Sequence, residues 1–240
     1  MVYKYKFICF NKMEIMLEFY IVPTPLGNPE DITLRAVRIL KEVDFVVCEH
    51  HKEYIRLVSK LEIPVKEWIE CQRKDSESCL ERLDELLAAG KTGALVSDCG
   101  SPVFEDPGFP VLRYVAGKNI KLVSLPGANS LITALPLSPF EIRSFYFGGF
   151  ISQKKGLREQ DLRNLLKRKE WVILLETPYR LKNILELMQA FAPKRNIVLP
   201  FNLTLPDEVV YSGTAGEILK ALARDNKEKG EFLLLIEGCR

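Results

Sequence analysis

The sequence predicts an α/β protein of two domains with a ligand cleft between them. Three observations carry that prediction. Short apolar runs alternate with amphipathic helical stretches along most of the chain. Several of those runs stop abruptly at turns of small, polar and glycine residues. A proline-bearing segment, Pro136 to Phe140, separates two such series. Strands alternating with helices argue for a parallel sheet with right-handed crossovers. In open sheets of this kind, ligands bind outside the carboxyl ends of the strands.

The first series begins at Phe19-Tyr20-Ile21-Val22, an apolar strand that breaks at Pro23-Thr24-Pro25-Leu26-Gly27-Asn28. Asp31 or Thr33 caps the next helix, whose apolar face is Leu34, Val37, Ile39 and Leu40. Phe45 to Cys48 is a buried strand ending at Glu49-His50-His51. Tyr54 to Leu61 reads as helix and Val65 to Ile69 as a short strand; Ser76 to Ala89 is an amphipathic helix closed by Gly90. Ala94-Leu95-Val96 then feeds into Ser97-Asp98-Cys99-Gly100-Ser101-Pro102, an open loop at a strand's carboxyl end. Asp106-Pro107-Gly108 reads as the start of the following helix, with Asp106 as its cap. Lys121 to Ser124 is a strand ending in Pro126-Gly127-Ala128-Asn129-Ser130, and Leu131 to Leu135 continues as helix.

After the linker the pattern restarts. Phe145 to Phe150 reads as a strand, with Phe145, Tyr146, Phe147 and Phe150 expected in the core, and Leu157 to Arg168 as a basic helix. Trp171 to Leu175 is a strand ending in Glu176-Thr177-Pro178, Tyr179 to Phe191 a helix, and Asn196 to Leu199 a strand. Ala215 to Ala223 is a helix and Glu231 to Ile236 a last apolar strand. The expected division is an N-terminal extension (1–18) outside the fold, a first α/β domain (19–136) and a second (141–240).

Composition narrows the functional classes. Of 240 residues, 47% are apolar and 28% charged, which suits a packed globule. A net charge of +2 does not by itself announce a nucleic-acid binder, so an RNA surface must come from local patches. The main candidate is Lys154, Lys155 and Arg158, continuing through Arg163, Lys167, Arg168 and Lys169; the plainer reading is a solvated helix face. Lys52 and Arg56 could also touch phosphate. The six cysteines include no Cys-x-x-Cys pair, so free thiols in a reducing cytoplasm are expected. No apolar run reaches the ~20 residues of a membrane span. His50 and His51 are the only histidines. Adjacent histidines rarely converge on one ion, so no metal is expected and the pair is placed in a loop at the cleft rim.

The motifs Pro23 to Ala36, Val96 to Pro102 with Asp106-Pro107-Gly108, Leu125 to Ser130, Phe147 to Phe150 and Glu176 to Leu181 occur in that order. Together they resemble the tetrapyrrole methylase superfamily of S-adenosylmethionine-dependent enzymes. Within it they are most similar to the small-subunit ribosomal RNA methyltransferase I group, which 2′-O-methylates a cytidine of the decoding site. The resemblance runs from about Phe19 to Gly238. It implies a cytoplasmic homodimer of two-domain subunits, with S-adenosylmethionine in the interdomain cleft and ribosomal RNA or the small ribosomal subunit as partner. By motif position the donor would lie against Pro25, Cys99, Gly100, Ser101, Phe104, Asn129, Ser130 and Glu176. Three segments depart from the group: Glu49-His50-His51-Lys52 replaces Glu-Asp-Thr-Arg, and Phe201 to Leu205 replaces Arg-Glu-Leu-Thr-Lys. The chain also stops at Arg240, where relatives often add a small helical extension. These segments are the ones expected to face RNA.

Methyl transfer to a ribose hydroxyl releases a proton that some group must take. Asp98 is the first candidate, against an Asx-type turn residue. Glu176 is the second, against a buried partner for Arg180. A same-fold methylase of a small tetrapyrrole-like substrate and a non-catalytic regulatory relative are the competing readings. The Pro-Thr-Pro-Leu-Gly first loop stands where porphyrin methylases carry Gly-x-Gly-Pro-Gly, which speaks against the former.

Overall fold

The structure, a computed structural model, describes residues 17–72, 76–118, 120–227 and 229–239. The expected N-terminal extension falls almost wholly outside them. The first five strands are β1 (Glu18–Val22), β2 (Phe45–Cys48), β3 (Glu67–Glu70), β4 (Gly93–Val96) and β5 (Lys121–Ser124). They form a sheet in the order β3-β2-β4-β1-β5 with every pair parallel. The helices between them are α1 (Leu34–Glu42), α2 (His51–Lys60), α3 (Ser76–Ala88) and α4 (Phe109–Ala116).

Side chains alternate across this sheet. Ala94 and Val96 of β4 join Ala36, Ile39 and Leu40 of α1 in one core, while Leu95 joins Val111 and Val115 of α4 in the other. Helices α1 and α4 therefore lie on opposite faces, although they follow the adjacent strands β1 and β4. The two connections diverge there and leave a crevice beyond the strand ends, the geometry of a topological switch point.

The second sheet contains β6 (Phe145–Phe150), β7 (Trp171–Glu176), β8 (Ile197–Phe201), β9 (Val209–Gly213) and β10 (Phe232–Ile236), in the order β6-β7-β10-β8-β9. Only β6 and β7 pair in parallel; the other three pairings are antiparallel. Its helices are α6 (Lys155–Leu165), α7 (Leu181–Phe191) and α8 (Ala215–Arg224). A short helix, α5 (Ser130–Ala134), leads out of the first sheet and packs Leu131 and Ala134 beneath the second, among Ile173, Val198, Leu233 and Leu235. The two sheets thus share apolar packing.

Several expectations need correcting. Thr33, not Asp31, caps α1, accepting from the Ala36 N–H at 3.0 Å, and Leu34 is 90% exposed instead of facing the core. Asp106 does not cap α4; it accepts from the Gly108 N–H at 2.8 Å in an Asx turn, and the helix begins at Phe109. His50 and His51 are the cap and first residue of α2, not loop. Phe145, Tyr146 and Phe150 are exposed because β6 is an edge strand; Phe147 alone of that set is half-buried. Strand β9 had no counterpart in the sequence reading. Cys71 and Cys79 form a disulfide, not free thiols, because Cys71, just past β3, and Cys79, in the first turn of α3, stand 5.5 Å apart at Cα. Cys48 and Cys99 carry free thiols, and Cys9 lies outside the described residues. Among the described residues no helix is long and apolar enough to cross a membrane.

Gly93 opens β4 against two fully buried rings. A Cβ there would overlap Phe45 Cζ and lie 2.8 Å from Phe19 Cε2. Gly93→Ala is expected to lower stability by about 1–3 kcal/mol through overpacking, read from the urea unfolding midpoint.

Candidate functional site

Beyond β1 and β4 the two chains cross-link. Thr24 N donates to Gly100 O at 2.9 Å and Gly100 N to Thr24 O at 3.1 Å. The Thr24 hydroxyl donates to Ser97 O at 3.0 Å, and the Ser97 hydroxyl to Gly100 O at 2.7 Å. Gly100 has φ +79°, a conformation that side-chain-bearing residues avoid. The Cys99 thiol donates to Leu26 O at 3.2 Å; burial pushes its pKa up to about 11 and keeps it protonated at neutral pH. Ser101 Oγ donates to Ala128 O at 3.0 Å, which brings in the loop after β5. Asn129 caps α5, accepting from the Leu131 and Ile132 N–H groups at 3.0 and 3.3 Å.

These loops form one side of a cavity of about 640 Å³, within the range of small-molecule sites. The cavity contains eight of the sequence-predicted site residues in its wall: Asp98, Cys99, Gly100, Ser101, Phe104, Asn129, Ser130 and Glu176. Pro25 is not among them. It is buried behind the wall, and its neighbour Leu26 faces the cavity in its place. The opposite side comes from the second sheet: Leu175, Pro200, Asn202, Leu203, Leu205, Glu231, Phe232 and Leu233.

The second-sheet wall is mostly what sequence reasoning missed. The loop after β8 reaches across to the first one: Asn28 N donates to Thr204 Oγ1 at 3.1 Å, and Leu205 packs where a Gly27 side chain would stand. Asn202 and Glu231 are tied by two hydrogen bonds, Asn202 N to Glu231 O at 2.7 Å and Glu231 N to Asn202 Oδ1 at 2.8 Å. The available signal was the position of Phe201 to Leu205 in the motif order. Its apolar composition pointed to nothing by itself.

The wall carries seven carboxylates, Glu49, Glu53, Asp98, Glu105, Asp106, Glu176 and Glu231, and no lysine, arginine or histidine. Such a lining favours a ligand with a positive centre. Several of the seven are engaged: Glu53 holds Arg56, Asp106 accepts from the Gly108 N–H, and Glu176 and Asp98 have partners of their own. Glu176, its side chain 1% exposed, accepts from Arg180 Nη1 at 3.0 and 3.3 Å and from the Thr177 N–H at 2.9 Å. Asp98 is gripped by His50: the His50 N–H donates to Oδ1 at 3.2 Å, and Nδ1 lies 2.6 Å from Oδ2. That bond raises the His50 pKa above its ordinary value. Burial raises Glu231 in the same direction. Glu49, His50 and Asp98 each bring a donor atom within 4.8 Å of the others, but the imidazole nitrogen facing the carboxylate is the one bonded to it.

The candidate RNA residues divide. Lys52, Lys154 and Lys155 are exposed. Arg56 is held by Glu53 on its own helix at 2.8 and 2.9 Å, and Arg158 is half-buried. Farther along the basic run, Arg163 stacks on Phe191 and Arg168 on Tyr146, with 3.5 and 3.4 Å from guanidinium carbon to ring centre. The run is therefore not a uniform cationic face.

Removing the Glu176 carboxylate leaves Arg180 and the Thr177 N–H unpaired in a buried corner. Glu176→Ala is expected to lower stability by about 3 kcal/mol, and Glu176→Gln, which keeps an acceptor, by less; urea unfolding of the two variants checks this.

Residues 18–219 match the model of the tetrapyrrole (corrin/porphyrin) methylases. A protein of Bacillus subtilis named ribosomal RNA small subunit methyltransferase I is 36% identical over 231 residues, 95% of this chain and 78% of its own. A protein of the same name from Coprothermobacter proteolyticus is 35% identical, over 90% of this chain and 96% of its own. Among solved structures, a cobalt precorrin-4 methyltransferase superposes with TM-score 0.67 at 18% identity, covering 92% of this chain and 94% of its own. Diphthine synthase superposes with TM-score 0.68 at 16% identity, over 92% and 90%. These two likenesses establish the fold.

Proposed function

This chain belongs to the tetrapyrrole (corrin/porphyrin) methylase family, and from that membership we propose that it is an S-adenosylmethionine-dependent methyltransferase acting on a ribose 2′-hydroxyl of a cytidine in small-subunit ribosomal RNA. The observation that carries the reading is 35–36% identity over nearly the whole chain to relatives named as ribosomal RNA small subunit methyltransferases, joined to an acidic cavity within the size range of small-molecule sites.

The residues fit the donor. S-adenosylmethionine supplies an electrophilic methyl carbon on a positively charged sulfur, and the protein's task is to bind, orient and keep water out. The loop at Cys99, Gly100 and Ser101, with Asn129, Ser130 and Phe104, offers backbone and side-chain groups on one wall; Glu176 stands beside them, anchored by Arg180. Leu26, Leu203 and Leu205 offer an apolar surface. The seven carboxylates complement the sulfonium. On the same reading, 19–136 and 141–240 are the two domains that enclose the donor. Exposed Lys52, Lys154 and Lys155 meet phosphate, and Arg56 and Arg158 back them.

We also propose a homodimer. Its support is the exposure of large apolar side chains on the first half, Phe109 at 60% and Ile132 at 61%. Light scattering of the purified protein tests it.

Incubation with small ribosomal subunits and the donor is expected to create one 2′-O-methylcytidine, detected by nucleoside mass spectrometry. An rRNA left unmethylated, with donor binding intact, rejects the RNA reading and leaves a small-molecule acceptor to be sought. The acidic wall makes a second prediction. S-adenosylmethionine, which has one more positive charge than its demethylated product, should bind roughly tenfold tighter than that product. The gap should narrow in high salt, as read by calorimetric titration.

A further inference from the structure

The reading above leaves open which group takes the hydroxyl proton, and the cavity wall narrows the choice. Glu176 is committed to Arg180 and to a backbone N–H. Asp98 is committed to His50 through both carboxylate oxygens. His50 is different. It stands at the head of α2, between two residues of the cavity wall, Glu49 before it and Glu53 one turn later, and against a third, Asp98. Its side chain is half exposed beside that wall, so the ring is open to an acceptor too large for the cavity itself.

We infer that His50 is the catalytic base, accepting the acceptor's hydroxyl proton at Nε2, and that Asp98 is its positioning residue. With Nδ1 donating its proton to Asp98 Oδ2 at 2.6 Å, the neutral imidazole keeps its lone pair on Nε2. The carboxylate fixes the ring and stabilises the imidazolium that forms. The inference rests on the proposed hydroxyl acceptor. The step balances. The ribose oxygen bonds to the methyl carbon while the carbon–sulfur bond of the donor breaks, its electron pair remaining on sulfur. The hydroxyl proton passes to Nε2 and then to water.

The groups around His50 set the sign of its pH dependence. Asp98 faces it from the loop after β4, Glu70 from the end of β3, and Glu49 precedes it; all three raise its pKa. Lys52 and Glu53 follow on α2, and the neighbouring His51 bonds Glu70. The base works when neutral, so the rate should climb with pH through a midpoint above the ordinary histidine value of about 6.5. Asp98→Asn should move that midpoint down.

Two measurements test this. The first is NMR titration of the ligand-free protein, whose only imidazoles are His50 and His51. His50 is expected as the Nδ1–H form, titrating above the ordinary value, with the titration falling in Asp98→Asn. The second is single-turnover methylation of small ribosomal subunits. His50→Gln should slow transfer by about 10²-fold or more, with donor affinity unchanged by calorimetry and the acid limb of the pH profile gone. His51→Gln should keep the wild-type rate. A His50→Gln rate equal to wild type, or a His50 titration that Asp98→Asn does not move, would overturn the proposal. Wild-type protein that binds donor but methylates no ribosomal RNA would instead overturn the functional reading beneath it, and the proposal with it. Circular dichroism of the three variants separates misfolding from loss of the base.

Discussion

The pair of hydrogen bonds between Thr24 and Gly100 is the constraint on which the site depends. Strands β1 and β4 lie side by side, yet their helices go to opposite faces of the sheet, so their outgoing loops would separate without a tie. The bridge supplies it, the Thr24 hydroxyl takes up the Ser97 carbonyl, and the Ser97 hydroxyl adds a second bond to the Gly100 carbonyl. Thr24 is 1% and Ser97 6% exposed, so these bonds form away from competing water, where an unmet partner is expensive. Everything above the bridge inherits its position. Leu26 lies against Cys99, Ser101 reaches Ala128, and Asn129 caps a helix that packs under the second sheet.

The site's charge looks wrong for a protein that modifies RNA. Seven carboxylates and no basic side chain line the cavity, and phosphates would be repelled from it. The conflict dissolves if only one nucleoside enters. Enzymes that modify a nucleotide take it out of its stack, and the polyanionic backbone can stay outside. The exposed lysines fit that division: Lys52 projects from the helix that carries Glu53, and Lys154 and Lys155 begin the helix after β6, whose last residue, Phe150, lines the cavity. An acidic interior for a cationic donor and a basic exterior for the substrate backbone then require little net charge, in keeping with +2 for the whole chain.

The parts of this design that were legible in the sequence are those written locally. An apolar run ending in Ser-Asp-Cys-Gly-Ser-Pro declares both a strand and its open end, and the structure puts Asp98 through Ser101 in the cavity wall. The second wall is written non-locally. Asn202, Leu203 and Leu205 belong to the site only because β8 lies between β10 and β9, and an antiparallel neighbour such as β9 has no signature beyond a few β-branched residues. Specific side-chain pairings were equally hidden: His50 with Asp98, 48 positions apart, and even Cys71 with Cys79, 8 apart, which no Cys-x-x-Cys spacing announces. Leu34 failed for another reason. It is the first residue of α1, where helical spacing does not say which side of the first turn meets the sheet.

Backbone conformation shows where the fold accepts strain to complete the cavity. Four non-glycine residues with φ near +60° flank it: Val103 and Glu105 in the loop after β4, Asn202 and Thr204 in the loop after β8. Each such residue costs on the order of 1 kcal/mol or more, and a β-branched valine is among the least suited. What offsets the cost lies between the sheets. Phe104, held between the two strained residues, stacks on Phe147 with ring centres 4.6 Å apart. Thr204 receives the Asn28 N–H, and Leu205 fills the space over Gly27. The strained turns therefore bring each loop onto the opposite half of the molecule. A relaxed backbone at either place would withdraw Phe104 or Leu205, and the cavity would open into a groove shared with water.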